Sequence, residues 1–367
     1  MRDEVVNAAA NIGDYSTWDF VRIALIHTRL LYRGGLETRL WSYMRYLQAQ
    51  GHEVTVIVYK VGKGISVPDG IRLIKVNIGW VPKQLRAWVF DRRLGKIMTA
   101  EQFDFSLSLG RTTHQNALLL PGNHLGYMRA MGFKRKSVSD RLQILMDAKG
   151  YASAGVILAC SGMMRDEVVE LYGVNPEKIK VLYPPTDTNR FHAGLKKDKQ
   201  ELRKRFGMHP DKLSLVLVSA SHGRKGLPLL LKVFESLQNE PFELLVAGEE
   251  SVGTELKNVR GIGFVKDTEA LFAAADFTVL PANYEPYGQV VSESILCRTP
   301  VLLSMMVGAR TAITADEGLV LSDLEPETWL NSIRSLPTRK FEMKGDFAQR
   351  NGISLAAHIQ QILACKP

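Results

Sequence analysis

The chain has 367 residues, 46% hydrophobic and 23% charged, and its 47 Lys and Arg against 38 Asp and Glu leave a net charge of +9. That length exceeds what one hydrophobic core usually serves and predicts two domains, and the ordinary composition excludes a disordered, fibrous or repetitive chain. No apolar run approaches the roughly 18 residues needed to span a bilayer, so a transmembrane class is not expected.

Residues 1–19 carry Asp3 and Glu4 where a secretory leader would be basic, and they are expected to form an N-terminal extension on a chain retained in the cytoplasm. The run 21–26 is apolar and of strand length. A loop with Gly34 and Gly35 follows, then a helical pattern over 36–50 with apolar residues at 36, 40, 43, 44 and 47, closed by Gly51. A strand at 54–59 completes a right-handed crossover unit of a parallel sheet. Further strands are predicted at 71–76, 105–109, 117–120, 156–160 and 179–182, with helices over 81–99, 139–152 and 164–172. The segment Tyr183-Pro184-Pro185-Thr186-Asp187 breaks this rhythm and reads as an inter-domain link. After a basic helical stretch at 196–206 the pattern restarts. Strands are expected at 213–219, 242–247, 261–265, 277–280 and 301–304, and helices at 227–238, 269–274 and 288–297. Strands alternating with helices in both halves predict an α/β protein of two Rossmann-like, doubly wound domains whose ligands bind in the cleft between them. The expected division is 1–19 as extension, 20–185 as first domain, 186–345 as second domain, and 346–367 as a helical segment returning to the first.

The three cysteines, Cys160, Cys297 and Cys365, show no metal-ligand spacing, and Cys160 and Cys297 stand in apolar surroundings. The positive charge favours an anionic partner without choosing among nucleotides, phosphorylated lipids, anionic membranes and nucleic acid. No nucleic-acid recognition motif is present, so no nucleic-acid partner is expected.

The sharpest local signal is the run Glu285-Pro286-Tyr287-Gly288-Gln289-Val290-Val291-Ser292-Glu293. Glu285 falls in a loop at a strand's carboxyl end and Glu293 over a turn into the following helix. One carboxylate could hold a sugar hydroxyl and the other a ribose hydroxyl. The N–H groups of Gly288, Gln289 and Val290 would face a diphosphate at the helix N-terminus. A second signal, Ser221-His222-Gly223-Arg224-Lys225-Gly226-Leu227-Pro228, sets two adjacent cations in a glycine-rich turn ahead of a helix whose first turn suits Pro228. Taken alone, the carboxylates also fit a solvated loop and helix face, and the cations a basic turn.

Together these features resemble family 4 of the retaining glycosyltransferases, which have the GT-B fold. The resemblance rests on Gly263-Phe264-Val265, Ala273-Ala274-Ala275-Asp276, Pro281, the pair Glu285 and Glu293, and Thr299-Pro300-Val301. In the first half it rests on Arg33-Gly34-Gly35-Leu36-Glu37-Thr38, on Ser161 with 164–174, and on 178–191. Adjacent Arg224 and Lys225, with Pro121-Gly122-Asn123-His124 after a strand, look most like the lipopolysaccharide core glucosyltransferase I branch. The resemblance implies that Glu285 contacts donor-sugar hydroxyls, that Glu293 holds the ribose, and that Arg224 and Lys225 neutralise the departing nucleotide diphosphate. It places the loop of Gly34 and Gly35 at the donor phosphate or acceptor, and Phe264 and Val265 at the base. Tyr287, Gly288, Gln289 and Val290 join the donor-binding set. His124, read as a loop residue, matches a position near the reacting sugar, so Glu285, His124 and Lys225 are the expected catalytic set.

The implied reaction moves a hexose from a nucleotide-diphosphate sugar, expected to be UDP-linked, with retention at the anomeric carbon. No other cofactor is expected. There is no Asp-x-Asp pair and no metal is expected, the cations taking that role. The implied acceptor is a lipopolysaccharide-like or other surface glycan or glycolipid. The family often has Gly where Arg298 stands. Two basic-apolar stretches, 80–98 and 127–145, suit an anionic bilayer and suggest peripheral attachment to the inner face of the cytoplasmic membrane; an ordinary amphipathic helix with a solvated basic face is the alternative. A sugar-nucleotide epimerase, a phosphorylase-like enzyme and a non-catalytic nucleotide-sugar-binding protein stay open as other readings.

Overall fold

The computed structural model describes residues 20–32, 34–248 and 252–367, so the expected extension 1–19 and Arg33 lie outside the described residues. The first half runs through β1 (Arg22–Ile26), β2 (Arg29–Leu30), α1 (Gly35–Ala49), β3 (Glu53–Val58), β4 (Lys60–Val61), β5 (Arg72–Lys75), α2 (Arg86–Ala100) and β6 (Phe105–Ser108). It continues with β7 (Ala117–Leu120), α3 (His124–Ala130), α4 (Val138–Ser153), β8 (Val156–Ala159), α5 (Gly162–Tyr172) and β9 (Ile179–Val181). Seven of these strands form one parallel sheet in the order β5-β3-β1-β6-β7-β8-β9. The chain builds outward from β1 to β5, then returns to place β6 on the other side of β1. The C-terminal ends of β1 and β6 therefore bound a crevice, the usual ligand position of such sheets.

The second half repeats the plan with α6 (Lys199–Arg205), β10 (Leu213–Val218), α7 (Leu227–Ser236), β11 (Phe242–Ala247), β12 (Val259–Gly263), α8 (Thr268–Ala274) and β13 (Phe277–Leu280). After these come α9 (Gln289–Leu296), β14 (Val301–Ser304), β15 (Gly318–Leu321), α10 (Pro326–Ser335), α11 (Phe347–Arg350) and α12 (Leu355–Leu363). The six-stranded parallel order is β12-β11-β10-β13-β14-β15, with the strand order reversing between β10 and β13. The loops that follow those two strands carry the Arg224-Lys225 pair and Glu285. Arg224 and Glu285, 61 positions apart in the chain, are neighbours for this reason.

Central strands of both sheets are buried on both faces, which is why they read as unbroken apolar runs rather than alternating ones. One apolar cluster spans the halves, joining Leu120, Cys160 and Met164 to Tyr284, Tyr287 and Val291. A second lies under α1 and includes Ile359, Ile362 and Leu363 of α12. His358 fastens that last helix: its Nδ1 lies 2.9 Å from the Tyr183 carbonyl and its Nε2 meets the Tyr43 hydroxyl. One nitrogen donates and the other accepts, so the ring is a neutral tautomer, and burial holds its pKa down to about 3.

The structure corrects several expected elements. The strand expected at 261–265 is β12 over Val259–Gly263, which releases Phe264 and Val265 into the following turn. The helix expected over 81–99 opens with a 3-10 turn, Lys83–Leu85, because Pro82 and the extended backbone before it delay the α-helical start to Arg86. β15 and α10 had no counterpart among the expected elements. Arg298 takes a left-handed conformation, φ 59°, and its guanidinium reaches the Met343 carbonyl. A glycine would adopt that backbone freely; here a long side chain ties down the segment that leads to α11.

Candidate active site

Gly226 closes the loop after β10 and opens α7. Its φ is 83°, and a Cβ there would strike the Pro281 carbonyl, so the loop can lie this close to the β13 end only with glycine. The two loops are then stitched together. Asn283 N–H donates to the Arg224 carbonyl at 2.9 Å, and Asn283 Nδ2 donates to the Gly223 carbonyl at 3.1 Å. Arg224 Nη1 donates to the Tyr284 carbonyl at 2.7 Å and to Glu285 Oε2 at 2.9 Å. Lys225 Nζ lies 3.9 Å from the same Glu285 oxygen and donates to the Val218 carbonyl at 3.2 Å. Burial lowers the Lys225 pKa, with Glu285 opposing. Glu285 is sewn on its other side to the segment after β14: its N–H donates to the Met306 carbonyl and its carbonyl accepts from Gly308, both at 2.9 Å. The carboxylate is thus held by backbone on two sides and faced by two cations.

Gly288 caps α9 at φ 95°, and the N–H groups of Gln289 and Val290 in the first turn have no intrahelical acceptor. Glu293 lies one turn in. The residue keeps some solvent exposure, yet burial of its carboxyl pushes it up to about 7, against the pull of Arg190 and Lys225. Arg190, which no sequence signal singled out, donates to Glu269 at 2.8 Å and to the Lys266 carbonyl at 2.7 Å. Cationic groups beside a helix N-terminus, flanked by two carboxylates, have the chemistry to receive a diphosphate that carries hydroxyl-bearing groups at each end.

The first half meets this wall at Pro286. A Cβ on Gly122 would stand 3.1 Å from Pro286 Cγ, and Ser161 Oγ donates to the Pro286 carbonyl at 2.6 Å. Tyr284 Oη donates to Glu167 at 2.8 Å, and Glu167 also accepts from Asn123 Nδ2 at 2.5 Å. Gly122 follows β7, Ser161 follows β8 and Pro286 follows β13, so the carboxyl ends of both sheets face each other. Gly34 has φ 117° and directs its missing side chain at the Glu37 carboxylate; a Cβ built on Gly35 would meet open space.

His124 is not a loop residue. It is the first residue of α3, whose N-cap, Asn123, accepts from Gly126 N–H. Its N–H donates to Asp147 at 3.1 Å and its Nε2 pairs with Asp140 at 2.8 Å. The Ser137 hydroxyl first, and then His124, hold Asp140 near a pKa of about 2. Burial raises Asp147, against its 2.6 Å ion pair with Arg111.

Of the expected site residues, Arg224, Lys225 and Glu285 form one cluster, with Gly288 and Glu293 on the helix beside it. Gln289 spends its side-chain amide on the Pro185 carbonyl, at 3.0 Å, and on Thr186, at 2.7 Å. Tyr287 is buried with its hydroxyl on Ser292 at 2.5 Å, and Val290 is buried as well. Tyr287, Gln289 and Val290 therefore offer backbone rather than side chain. Sequence reading missed Arg190, Glu167 and the first-half groups His27 and Arg111, because each is isolated in the chain and gathered only by the fold. Among the described residues, no group of three or more His, Cys, Asp or Glu stands in an arrangement that could hold a metal ion.

Two Rossmann-like halves with opposed carboxyl ends define a GT-B architecture. The family model for Glycosyltransferase Family 4 matches residues 33–190, and that for Glycosyl transferases group 1 matches 198–351. Over 302 residues the chain is 35% identical to a Burkholderia thailandensis protein described as a probable transglycosylase, covering 82% of each. Among solved structures it resembles WaaG, a glycosyltransferase involved in lipopolysaccharide biosynthesis, at a TM-score of 0.71 and 18% identity, over 90% of this chain and 94% of that one. It also resembles Anabaena HepE in complex with UDP and glucose, at 0.68 and 17%, over 94% and 98%. The chain belongs to glycosyltransferase family 4, with the GT-B fold.

Proposed function

We propose that this glycosyltransferase moves a hexose from a UDP-linked donor, with retention and without a metal ion, to a glycolipid or surface-glycan acceptor of the lipopolysaccharide kind. The observation that carries the reading is the placement of Arg224 and Lys225 against Glu285 beside the N-terminus of α9. In this reading the two cations and the free N–H groups of the helix neutralise the leaving diphosphate, the role a divalent ion plays in other transferases. Glu285 orients sugar hydroxyls, and Glu293 accepts from the ribose. His124 borders the reacting sugar, and the backbone around Phe264 and Val265 borders the base. HepE, solved with UDP and glucose, and WaaG, involved in lipopolysaccharide biosynthesis, support the donor and acceptor classes.

The test is a donor screen by thermal shift, followed by transfer to candidate acceptors with the anomeric configuration of the product read by NMR. UDP-hexoses are expected to raise the melting temperature and to give a retained linkage in the presence of EDTA. An inverted product, or a strict requirement for a divalent ion, overturns the reading.

Attachment to the inner face of the cytoplasmic membrane is part of the proposal. No helix among the described residues is long and apolar enough to cross a membrane. The two basic stretches expose Trp80 (73%), Trp88 (48%), Phe133 (53%) and Val138 (75%). Arg93 and Arg92 lie 5.9 Å from the Trp80 and Trp88 rings. Flotation with anionic vesicles is expected to carry the protein; equal recovery with neutral vesicles overturns this part.

A further inference from the structure

The short helix α3 carries a glycine in its first turn, Gly126, although glycine weakens a helix. The space its side chain would fill is taken. A Cβ there would stand 2.2 Å from Glu167 Oε2 of α5 and 2.9 Å from Asn123 Nδ2. That carboxylate oxygen accepts from two donors, Asn123 Nδ2 at 2.5 Å and Tyr284 Oη at 2.8 Å. Three segments therefore meet on one atom: the turn after β7, the middle of α5 and the loop after β13.

Both donors are held on their other sides. Asn123 is buried and uses both ends of its amide, Oδ1 accepting from Gly126 N–H at 2.5 Å while Nδ2 faces Glu167. Tyr284 is buried with its ring 6.1 Å from that of Tyr127 on α3, and its carbonyl accepts from Arg224 Nη1 at 2.7 Å. The same Arg224 nitrogen holds Glu285 at 2.9 Å. His124 follows Asn123 in the chain and Glu285 follows Tyr284, so each end of the bridge is one peptide bond from a proposed site residue. Burial raises the Glu167 pKa, and the hydrogen bonds from Tyr284 and Asn123 oppose that rise. A second contact between α3 and α5, Arg129 with Glu170, lies on the surface, with the side chains 64% and 62% exposed.

We propose that Glu167 is a positioning residue for transfer, joining Asn123 to Tyr284 and so fixing His124 on the first-half wall relative to Glu285 on the second. The inference rests on the transferase reading for the roles of His124 and Glu285, whereas the bridge itself does not require turnover. Its chemistry is that of an acceptor facing two donors, and an amide oxygen can take the same two bonds. Its effect on rate follows from geometry, because a displacement of about 1 Å between reacting groups can cost on the order of a hundredfold.

The test measures two quantities on the full chain: kcat for hydrolysis of UDP-glucose, with water in place of the acceptor, and the Kd of UDP by calorimetry. Glu167→Ala, Tyr284→Phe and Gly126→Ala are each expected to lower kcat about tenfold and to leave the Kd within about twofold, because the cations and α9 stay in place. Glu167→Gln should keep kcat within about twofold of the wild type. Glu167→Ala combined with Tyr284→Phe should be no slower than either alone, since both remove one link. Glu170→Ala, which breaks only the surface contact, should leave kcat unchanged. An unchanged kcat in a folded Glu167→Ala protein overturns the proposal, as does a glutamine variant as slow as the alanine one. An equal fall in Glu170→Ala, or a parallel loss of UDP affinity, also overturns it by reducing the effect to helix docking or general damage. Hydrogen exchange read by mass spectrometry tests the bridge without turnover. Glu167→Ala should speed exchange in both 123–130 and 282–286, and Glu167→Gln in neither; a response confined to one segment overturns the bridge. A wild type whose variants give the paired response but which does not turn over UDP-glucose fails only the donor reading.

Discussion

The two walls of the cleft are built by different chemistry. On the second-half wall nearly every polar group is already engaged: Arg224 on Tyr284 and Glu285, Lys225 on Val218, and Glu285 between two strands' loops. The first-half wall holds a cavity lined in part by Leu85, Trp88 and Leu145, all exposed, with buried His27 beside Glu37. A wall of fixed cations suits a ligand part that is the same at every turnover, because preorganised charge need not rearrange when the ligand arrives. A greasy, open wall suits a part whose shape varies and whose affinity comes from removing apolar surface from water. The difference teaches where specificity resides. Under the proposed function, the rigid polar wall would receive the donor and the more open first-half wall the acceptor.

Four measurements would break or sharpen that contrast. The largest effect is expected from Glu285→Ala and from Lys225→Ala, each lowering kcat a hundred- to a thousand-fold, roughly 3–4 kcal/mol, with the circular dichroism spectrum retained. Near-normal turnover in either variant breaks the assignment of the polar wall. Arg224→Ala should cost less, about tenfold in kcat/KM, because the Arg224 side chain is more exposed than that of Lys225, 25% against 15%, and its charge is better screened by water.

Glu293→Gln sharpens the contrast through pH. In the unfolded chain this carboxyl ionises near its ordinary value, whereas in the folded protein it keeps its proton up to about 7. The folded state therefore holds the extra proton between those values. The wild type loses stability as pH rises through that window, and the loss levels off above 7. The glutamine variant escapes the loss and should melt higher at pH 8, by the equivalent of about 2 kcal/mol after allowance for the partial exposure of the site, while binding donor more weakly. A variant no more stable than wild type at pH 8 shows that the carboxylate has a partner inside the fold. The smallest effect is expected from Arg298→Gly. Relief of the left-handed backbone, about 1 kcal/mol, offsets the lost hydrogen bond to Met343, so stability measured by urea unfolding should move by less than about 1 kcal/mol.

The strands were the most legible feature. The runs 242–247, 277–280 and 301–304 coincide with β11, β13 and β14, because strands buried on both faces must be continuously apolar. The helix over 227–238 was legible from Pro228 in its first turn and from its apolar period, and ends two residues sooner. β15 was not legible, since Gly-Leu-Val-Leu is too short to stand out. His124 was misread as a loop residue because a seven-residue helix shows barely two turns of periodicity, and its cap, Asn123, also favours turns. In the site, local spacing revealed the Arg224-Lys225 pair and the Glu285–Glu293 run. It could not reveal Arg190, Glu167 or His27, which stand alone in the chain.

What the sequence by itself determined is the repeated strand-and-helix alternation, the glycine-bounded turns and the carriers of charge, because these depend on neighbours a few residues away. Only the tertiary structure decided that Arg224 and Glu285 share a hydrogen bond, that burial raises the Glu293 carboxyl, and that His27 lines a cavity beside Glu37. Each of these depends on strand order and on burial, and both arise when distant segments exclude water together.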